Sequence, residues 1–207
     1  MTMNRVIHGA VRRDLGRLES ALAVAPDGDR ERAAELRNAY AYLQGELVRH
    51  HEGEDDLIFP MLVRAGADEA LIDAMEDEHL AMAEALQSTR TAMERYGATG
   101  SGTDAKVAHE RVVHAQEVVD RHLDHEERDL EPVMIAHAES DEWRAVEKQL
   151  RRQPPRIAGP FFAWIQDGMG DEERSYLEGA VPAPVRFLMS RVFGRSYHRE
   201  IAPVWHR

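Results

Sequence analysis

Two stretches of this chain set a histidine, a glutamate and a proline at one spacing. The first is His50-His51-Glu52-Gly53-Glu54-Asp55-Asp56-Leu57-Ile58-Phe59-Pro60 and the second is His122-Leu123-Asp124-His125-Glu126-Glu127-Arg128-Asp129-Leu130-Glu131-Pro132. In both, histidine precedes glutamate by four residues and proline by ten. Four residues are about one helical turn, so His50 with Glu54, and His122 with Glu126, present imidazole and carboxylate on one helix face. Those faces are otherwise apolar. Leu36, Tyr40, Leu43 and Leu47 lead into the first pair and Leu57 and Met61 follow; Val112, Ala115 and Val119 lead into the second, followed by Leu130 and Val133. This is the stripe of a helix facing a bundle core. A carboxylate in such a stripe is costly unless it is paired or holds a metal ion.

The elements that carry these pairs are helices. A first helix runs from about Asn4 to Ala23, striped by Val11, Leu15, Leu18 and Leu22, with His8 one turn before Val11. Pro26-Asp27-Gly28-Asp29 breaks it. A second runs from about Arg30 past Phe59, and Pro60 should end or kink it. After Ala65-Gly66-Ala67, Asp68 reads as the N-cap of a third helix, which carries Leu71, Met75, His79, Met82, Leu86 and Met93 on one face. Gly97 reads as its stop, and Ala98 to Thr103 as a flexible loop. A fourth runs from about Asp104 to His137. A shorter helix, Asp141 to Arg152, follows, and Gln153-Pro154-Pro155 opens a tail.

Short loops between long helices predict an all-α, up-down-up-down four-helix bundle over residues 1–140. In antiparallel neighbours, residues equidistant from a turn share a height. The midpoint of His8 and His50 is 29, that of His50 and His79 is 64.5, and that of His79 and His122 is 100.5, each at an interhelical break. Every helix thus brings a histidine to one level, with about 1.5 Å of axial error per residue of misregister.

Four imidazoles and two carboxylates in a dry core suit iron, manganese or zinc. Six ligands exceed the four of a structural zinc site, whereas two ions about 3.5–4 Å apart use them all. In that arrangement His8 and His50 hold one ion, His79 and His122 the other, and Glu54 and Glu126 bridge. A ferritin-like site would need Glu-x-x-His on two helices. Glu76-x-x-His79 is one, but Val119 occupies the matching place before His122.

The set His8, His50-x-x-x-Glu54, His79, His122-x-x-x-Glu126, with Leu57-Ile58-Phe59-Pro60 and the run from His122 to Glu127, resembles the hemerythrin-like, or HHE cation-binding, family over roughly residues 1–140. The resemblance implies a non-haem centre of two iron ions joined by an oxygen (oxo or hydroxo) bridge. Its oxygen-carrying members have one more histidine on the third helix, one turn from the first; here Met75 and Ala83 stand one turn either side of His79. With two histidines per ion, both ions should keep an open position. That favours turnover of small oxidants over reversible carriage: hydrogen peroxide as oxidant, nitric oxide or another small reductant as second substrate. The other class is non-enzymatic binding or sensing of oxygen, nitric oxide or iron.

The remaining residues of the two stretches admit supporting roles. His51 and Asp55, and His125 and Asp129, repeat the four-residue step off the core stripe. His51 and His125 read as outer groups, and His125 as the best proton donor near the site. Glu127 is a weaker alternative to Glu126. Glu52, Asp55, Asp56 and Asp129 are candidates to fix imidazole tautomers. Tyr40, Phe59, Met75 and Met82 read as core, or as an apolar lining of the open positions.

Composition narrows the classes. The chain has 207 residues and no cysteine, so disulfides and thiolate metal sites are excluded. A net charge of −12 argues against a nucleic-acid partner. No stretch reads as a signal peptide or membrane span, and a cytoplasmic location is expected. The extension, residues 141–207, carries apolar pieces at Pro160 to Ile165, Val185 to Met189 and Val204-Trp205. From Val181 to Arg207 five arginines face one acid, Glu200. It is expected to be helical and to pack on the acidic bundle, a membrane surface being the other reading.

Overall fold

A computed structural model describes residues 1–206 of the chain; Arg207 lies outside the described residues. The bundle is built by α1 (Met3–Ala23), α2 (Arg30–Gly53) continued by α3 (Phe59–Arg64), α4 (Glu69–Thr99), and α5 (Gly102–His125) continued by α6 (Glu131–His137). Side chains at the N-termini set where helices begin: Thr2 accepts from Arg5 N–H, Asp29 from Arg32, Asp68 from Ala70, and Ser101 from Asp104. α1 packs on α2 and α5, and α4 packs on the same two. Neighbours in sequence are therefore neighbours in space, in the expected up-down-up-down order.

Pro60 and Pro132 do not end their helices. Each follows a π-helical turn, Glu54–Ile58 in one case and Glu126–Leu130 in the other. Phe59 N–H donates to Glu54 C=O, and Glu131 N–H to Glu126 C=O. Proline lacks an N–H, and its ring presses on the carbonyl four residues earlier. The wider turn absorbs both defects, so the chain stays helical. Single π turns of this kind collect at functional sites, and both begin on the glutamate of a His-x-x-x-Glu step.

The third turn is tighter than the sequence suggests. Gly97 does not stop α4, which continues to Thr99, and the expected flexible loop from Ala98 to Thr103 is absent. Gly100 closes the helix at φ 65°, a left-handed conformation that a Cβ would strain. α5 starts at Gly102, two residues earlier than expected. The first and third loops are tied together: Gly28 N–H donates to Gly100 C=O at 2.8 Å, and Gly102 N–H to Asp27 Oδ1 at 2.7 Å. Serine capping and that clasp replace the mobility that Gly, Ser and Thr content implied.

The extension comprises α7 (Asp141–Leu150), α8 (Pro155–Gln166), α9 (Asp171–Ala180), α10 (Ala183–Phe187) with a π turn at Leu188–Phe193, α11 (Arg195–Glu200) and a 3-10 segment, Ala202–His206. Its anchor is Trp164, fully buried, whose indole N–H donates to Asp14 Oδ2 at 2.9 Å. Asp14 also receives Arg13 at 2.9 Å and Arg17 at 3.0 Å. Arg17 and the Tyr197 hydroxyl both reach Asp167, at 3.2 Å and 2.8 Å. Trp164, Ile165, Leu177, Tyr197 and Val204 join the core formed by Leu15, Leu18, Leu43 and Met82.

Two apolar cores result. The larger ends at Leu47 on α2, begins at Met82 on α4 and ends at Leu123 on α5. The smaller holds Ile58, Phe59, Ile72, Met75, Leu130 and Val146. On α2, α4 and α5 the band of histidines and glutamates lies between them, and α1 brings His8 to the same level. Among the described residues, no helix is long and apolar enough to cross a membrane.

Candidate metal centre

The four helices bring their histidines to one level in two facing pairs. Nε2 of His8 lies 3.2 Å from Nε2 of His50, and Nε2 of His79 lies 3.2 Å from Nε2 of His122. Each carboxylate reaches both pairs. Glu54 Oε1 is 3.4 Å from His50 Nε2, and its Oε2 is 3.7 Å from His79 Nε2. Glu126 Oε2 is 3.2 Å from His8 Nε2 and 3.7 Å from His122 Nε2. His8, Glu54, His79, His122 and Glu126 are buried, and the His50 side chain is 11% exposed.

This cluster is under-satisfied as protein alone. Both oxygens of Glu54 and Oε2 of Glu126 are buried with no hydrogen bond. A buried polar atom without a partner costs about 1–3 kcal/mol, and more if charged. Imidazole nitrogens that face each other at 3.2 Å cannot all be satisfied by one another's protons. The donor set is nitrogen and oxygen without sulfur, which suits iron, manganese or zinc. These residues fit metal ions better than they fit each other.

The electrostatics are those of charge packed into a low dielectric. Burial, with Glu126 beside it, holds the Glu54 carboxyl well above the usual carboxylate range. Burial acts on Glu126 in the same direction, but the imidazoles of His8, His50 and His122 outweigh it and hold that carboxyl below its ordinary value. Burial, helped by the neighbouring His8, pushes His50 down to about 3. It lowers His51 and His122 as well. For His8, burial is outweighed by Glu126 and Glu127, and its pKa rises.

The outer nitrogens are held by acids. His8 Nδ1 meets Glu127 Oε1 at 2.9 Å, and that carboxylate also takes Arg12 at 2.6 Å. Burial opposes ionisation of Glu127, yet His8 and Arg12 bring it down to about 2. His79 Nδ1 meets Asp55 Oδ1 at 2.7 Å, and His122 Nδ1 meets Glu78 Oε2 at 2.9 Å. An acceptor on one ring nitrogen leaves the other free to ligate. Asp55 was legible as such an acceptor. Glu127 takes this place rather than that of a ligand. Glu52 and Asp56, the other acidic candidates beside it, are exposed.

Several residues stand elsewhere than expected. His51 is buried, not an outer group: its Nε2 has no hydrogen bond, and its ring stacks on His79 at 4.2 Å. His125, 23% exposed, does not face the Nε2 cluster. It reaches the site through Glu78, whose Oε1 lies 2.8 Å from His125 Nδ1; Asp129 sits 3.3 Å from its other nitrogen. The Tyr40 hydroxyl donates to Leu86 C=O at 2.6 Å, so Tyr40 struts α2 to α4. Phe59 lies parallel to the His79 ring at 5.5 Å. Met75 and Met82 are fully buried in the smaller and larger cores respectively.

Two contributors were missed. Glu78 precedes His79 in a run of acids and carries no periodic mark. Asn4 donates from Nδ2 to Glu126 Oε1 at 2.7 Å; its only signal is that it lies one turn before His8.

The sequence pattern of the hemerythrin HHE cation binding domain matches residues 5–134, a span that includes every residue from His8 to Glu126. No curated protein and no solved structure matches the chain. With the domain pattern covering more than half of its length, the chain belongs to the hemerythrin HHE cation-binding family.

Proposed function

We propose that this bundle holds two iron ions and turns over small oxidants, with hydrogen peroxide as oxidant and nitric oxide or another small reductant as electron source. The observation that carries the two-ion reading is the position of Glu54. Its two oxygens point one to each histidine pair, are buried, and have no hydrogen-bond partner. His8 and His50 would hold one ion, His79 and His122 the other, with Glu54 and Glu126 between them. Bound there, a pair of iron ions would supply Lewis acidity, a template for a small oxidant and electrons for its reduction.

The chain supplies the rest. The apolar cores on either side exclude bulk water and strengthen every charge interaction within the band. Asp55, Glu78 and Glu127 fix three imidazoles by their Nδ1 atoms. Reduction of peroxide to two waters consumes two protons and two electrons. His125, partly open to solvent, and Glu78 form a hydrogen-bonded path from the surface to His122, through which protons can reach the band. A cytoplasmic location suits such a role.

A second reading, reversible binding or sensing of oxygen or nitric oxide, is favoured by His51. Its imidazole stacks on His79, and as a further donor there it would leave less room for a bound oxidant. Rapid mixing separates the two. The enzyme reading expects the oxidised, iron-loaded protein to consume peroxide, faster with nitric oxide present. Oxygen taken up by the reduced protein and released intact under vacuum, with no peroxide consumed, would leave the binding reading.

A further inference from the structure

We infer that His51 is itself a metal ligand, the third nitrogen donor to the ion held by His79 and His122, so that the two ions are unequal. The inference rests on the two-ion reading above. His51 follows His50 directly, roughly 100° further around the helix, and lies one turn after the buried Leu47, so the two histidines flank one stripe. It is buried, being 8% exposed. Its ring stacks on His79 with an interplanar angle of 21°, and meets His122 edge-on at 5.4 Å. One ring nitrogen each from His51, His79 and His122 lie within 4.8 Å of one another. His8, His50 and Glu126 form a second such group.

Two successive histidines can enter one site because His50 and His51 stand three and four residues after Leu47, on either side of the buried stripe. Glu54 N–H is shared between the carbonyls of His50 and His51, and the π turn starts at that point. A histidine kept in the core for packing alone would spend its polar atoms on partners, as the Tyr40 hydroxyl does on Leu86. Nε2 of His51 has none. Its neighbours are the two imidazoles whose own Nδ1 atoms are already held by Asp55 and Glu78. All three rings therefore offer nitrogen to one point.

The consequence is a division of labour within the centre. The side of His51, His79 and His122 is nitrogen-rich and closer to saturation. The side of His8 and His50, with two nitrogens, is where a small molecule binds.

The test uses the full chain loaded with iron under anaerobic conditions, comparing wild type with His51→Ala, His51→Gln and, as a control, His125→Ala. Mössbauer spectra of the wild type should show two unequal iron sites. In His51→Ala the spectrum should change, one ion should bind more than about 100-fold more weakly, and added imidazole should restore the wild-type spectrum. A residue that only orients a ligand costs about 10–100-fold and is not rescued spectrally. His51→Gln, which keeps the volume, should also lose the spectrum while its metal-free melting temperature stays near that of the wild type. Two ions per chain with spectra and affinities unchanged in both His51 variants would overturn this inference and leave the two-ion reading standing. Fewer than two ions in the wild type would overturn that reading, and this inference with it.

Discussion

Glu78 Oε2 lies 2.9 Å from His122 Nδ1, and through its other oxygen the same carboxylate holds His125. One acid on α4 thus orients a candidate ligand on α5 and links it to a partly exposed imidazole. Glu78→Ala should therefore lower metal affinity or activity about 10–100-fold, with less effect from Glu78→Gln, which keeps the reach. Competition against a calibrated chelator measures it.

Glu54 should show opposite effects in the two forms of the protein. Both oxygens of Glu54 are buried with no hydrogen bond, a cost of about 1–3 kcal/mol per group that an apolar residue of similar volume removes. Metal-free Glu54→Leu should then melt at or above metal-free wild type. Iron should raise the wild-type melting temperature, because binding here is coupled to folding, and should raise that of Glu54→Leu far less. Paired thermal scans with and without iron make the comparison.

Metal uptake should release protons. In the metal-free protein burial and Glu126 favour the protonated form of Glu54, and Glu126 and Glu127 favour that of His8. Metal must displace protons from both, so affinity should rise with pH and fall on acidification. A weakly buffered titration with an indicator dye reads the protons per metal; none released would contradict the assignment of both groups.

The band of histidines and glutamates was legible as a cluster because each member combines a chemical type with a helical register. His50 with Glu54, and His122 with Glu126, repeat one turn apart in apolar stripes, and His8 and His79 share their height by loop arithmetic. The bundle followed from the same stripes and breaks. What could not be read depends on packing between helices. Glu78 and Asn4 act across to α5 and to Glu126, and nothing in their own helices marks them. His51 lies one turn after Leu47 and flanks the stripe on the side opposite His50, so its burial depends on where the neighbouring helices pack, and Pro60 signals a disturbance without saying which kind. Gly97 misled because Gly100, with positive φ, is the residue that the turn requires.

The docking of the extension should be measurable at one contact. Trp164→Phe removes the donor to Asp14 and leaves that carboxylate to Arg13 and Arg17. The expected loss is about 1.5–3 kcal/mol for a hydrogen bond to a charged group, or several degrees in melting temperature. Deleting residues from 156 onward should cost more and expose apolar surface, measured by dye binding. An unchanged melting temperature in the metal-loaded, shortened protein would show that the extension is not docked in solution.

Four helices are expected to hold two metal ions together, and iron stoichiometry combined with electron paramagnetic resonance tests this most directly. The full chain, loaded anaerobically with ferrous iron and then oxidised, should carry two irons per chain and give no high-spin ferric signal, because the two ions couple through their shared ligands. His122→Ala should fall below that stoichiometry. A single iron per chain with an uncoupled high-spin ferric signal, or full iron content in His122→Ala, would contradict it.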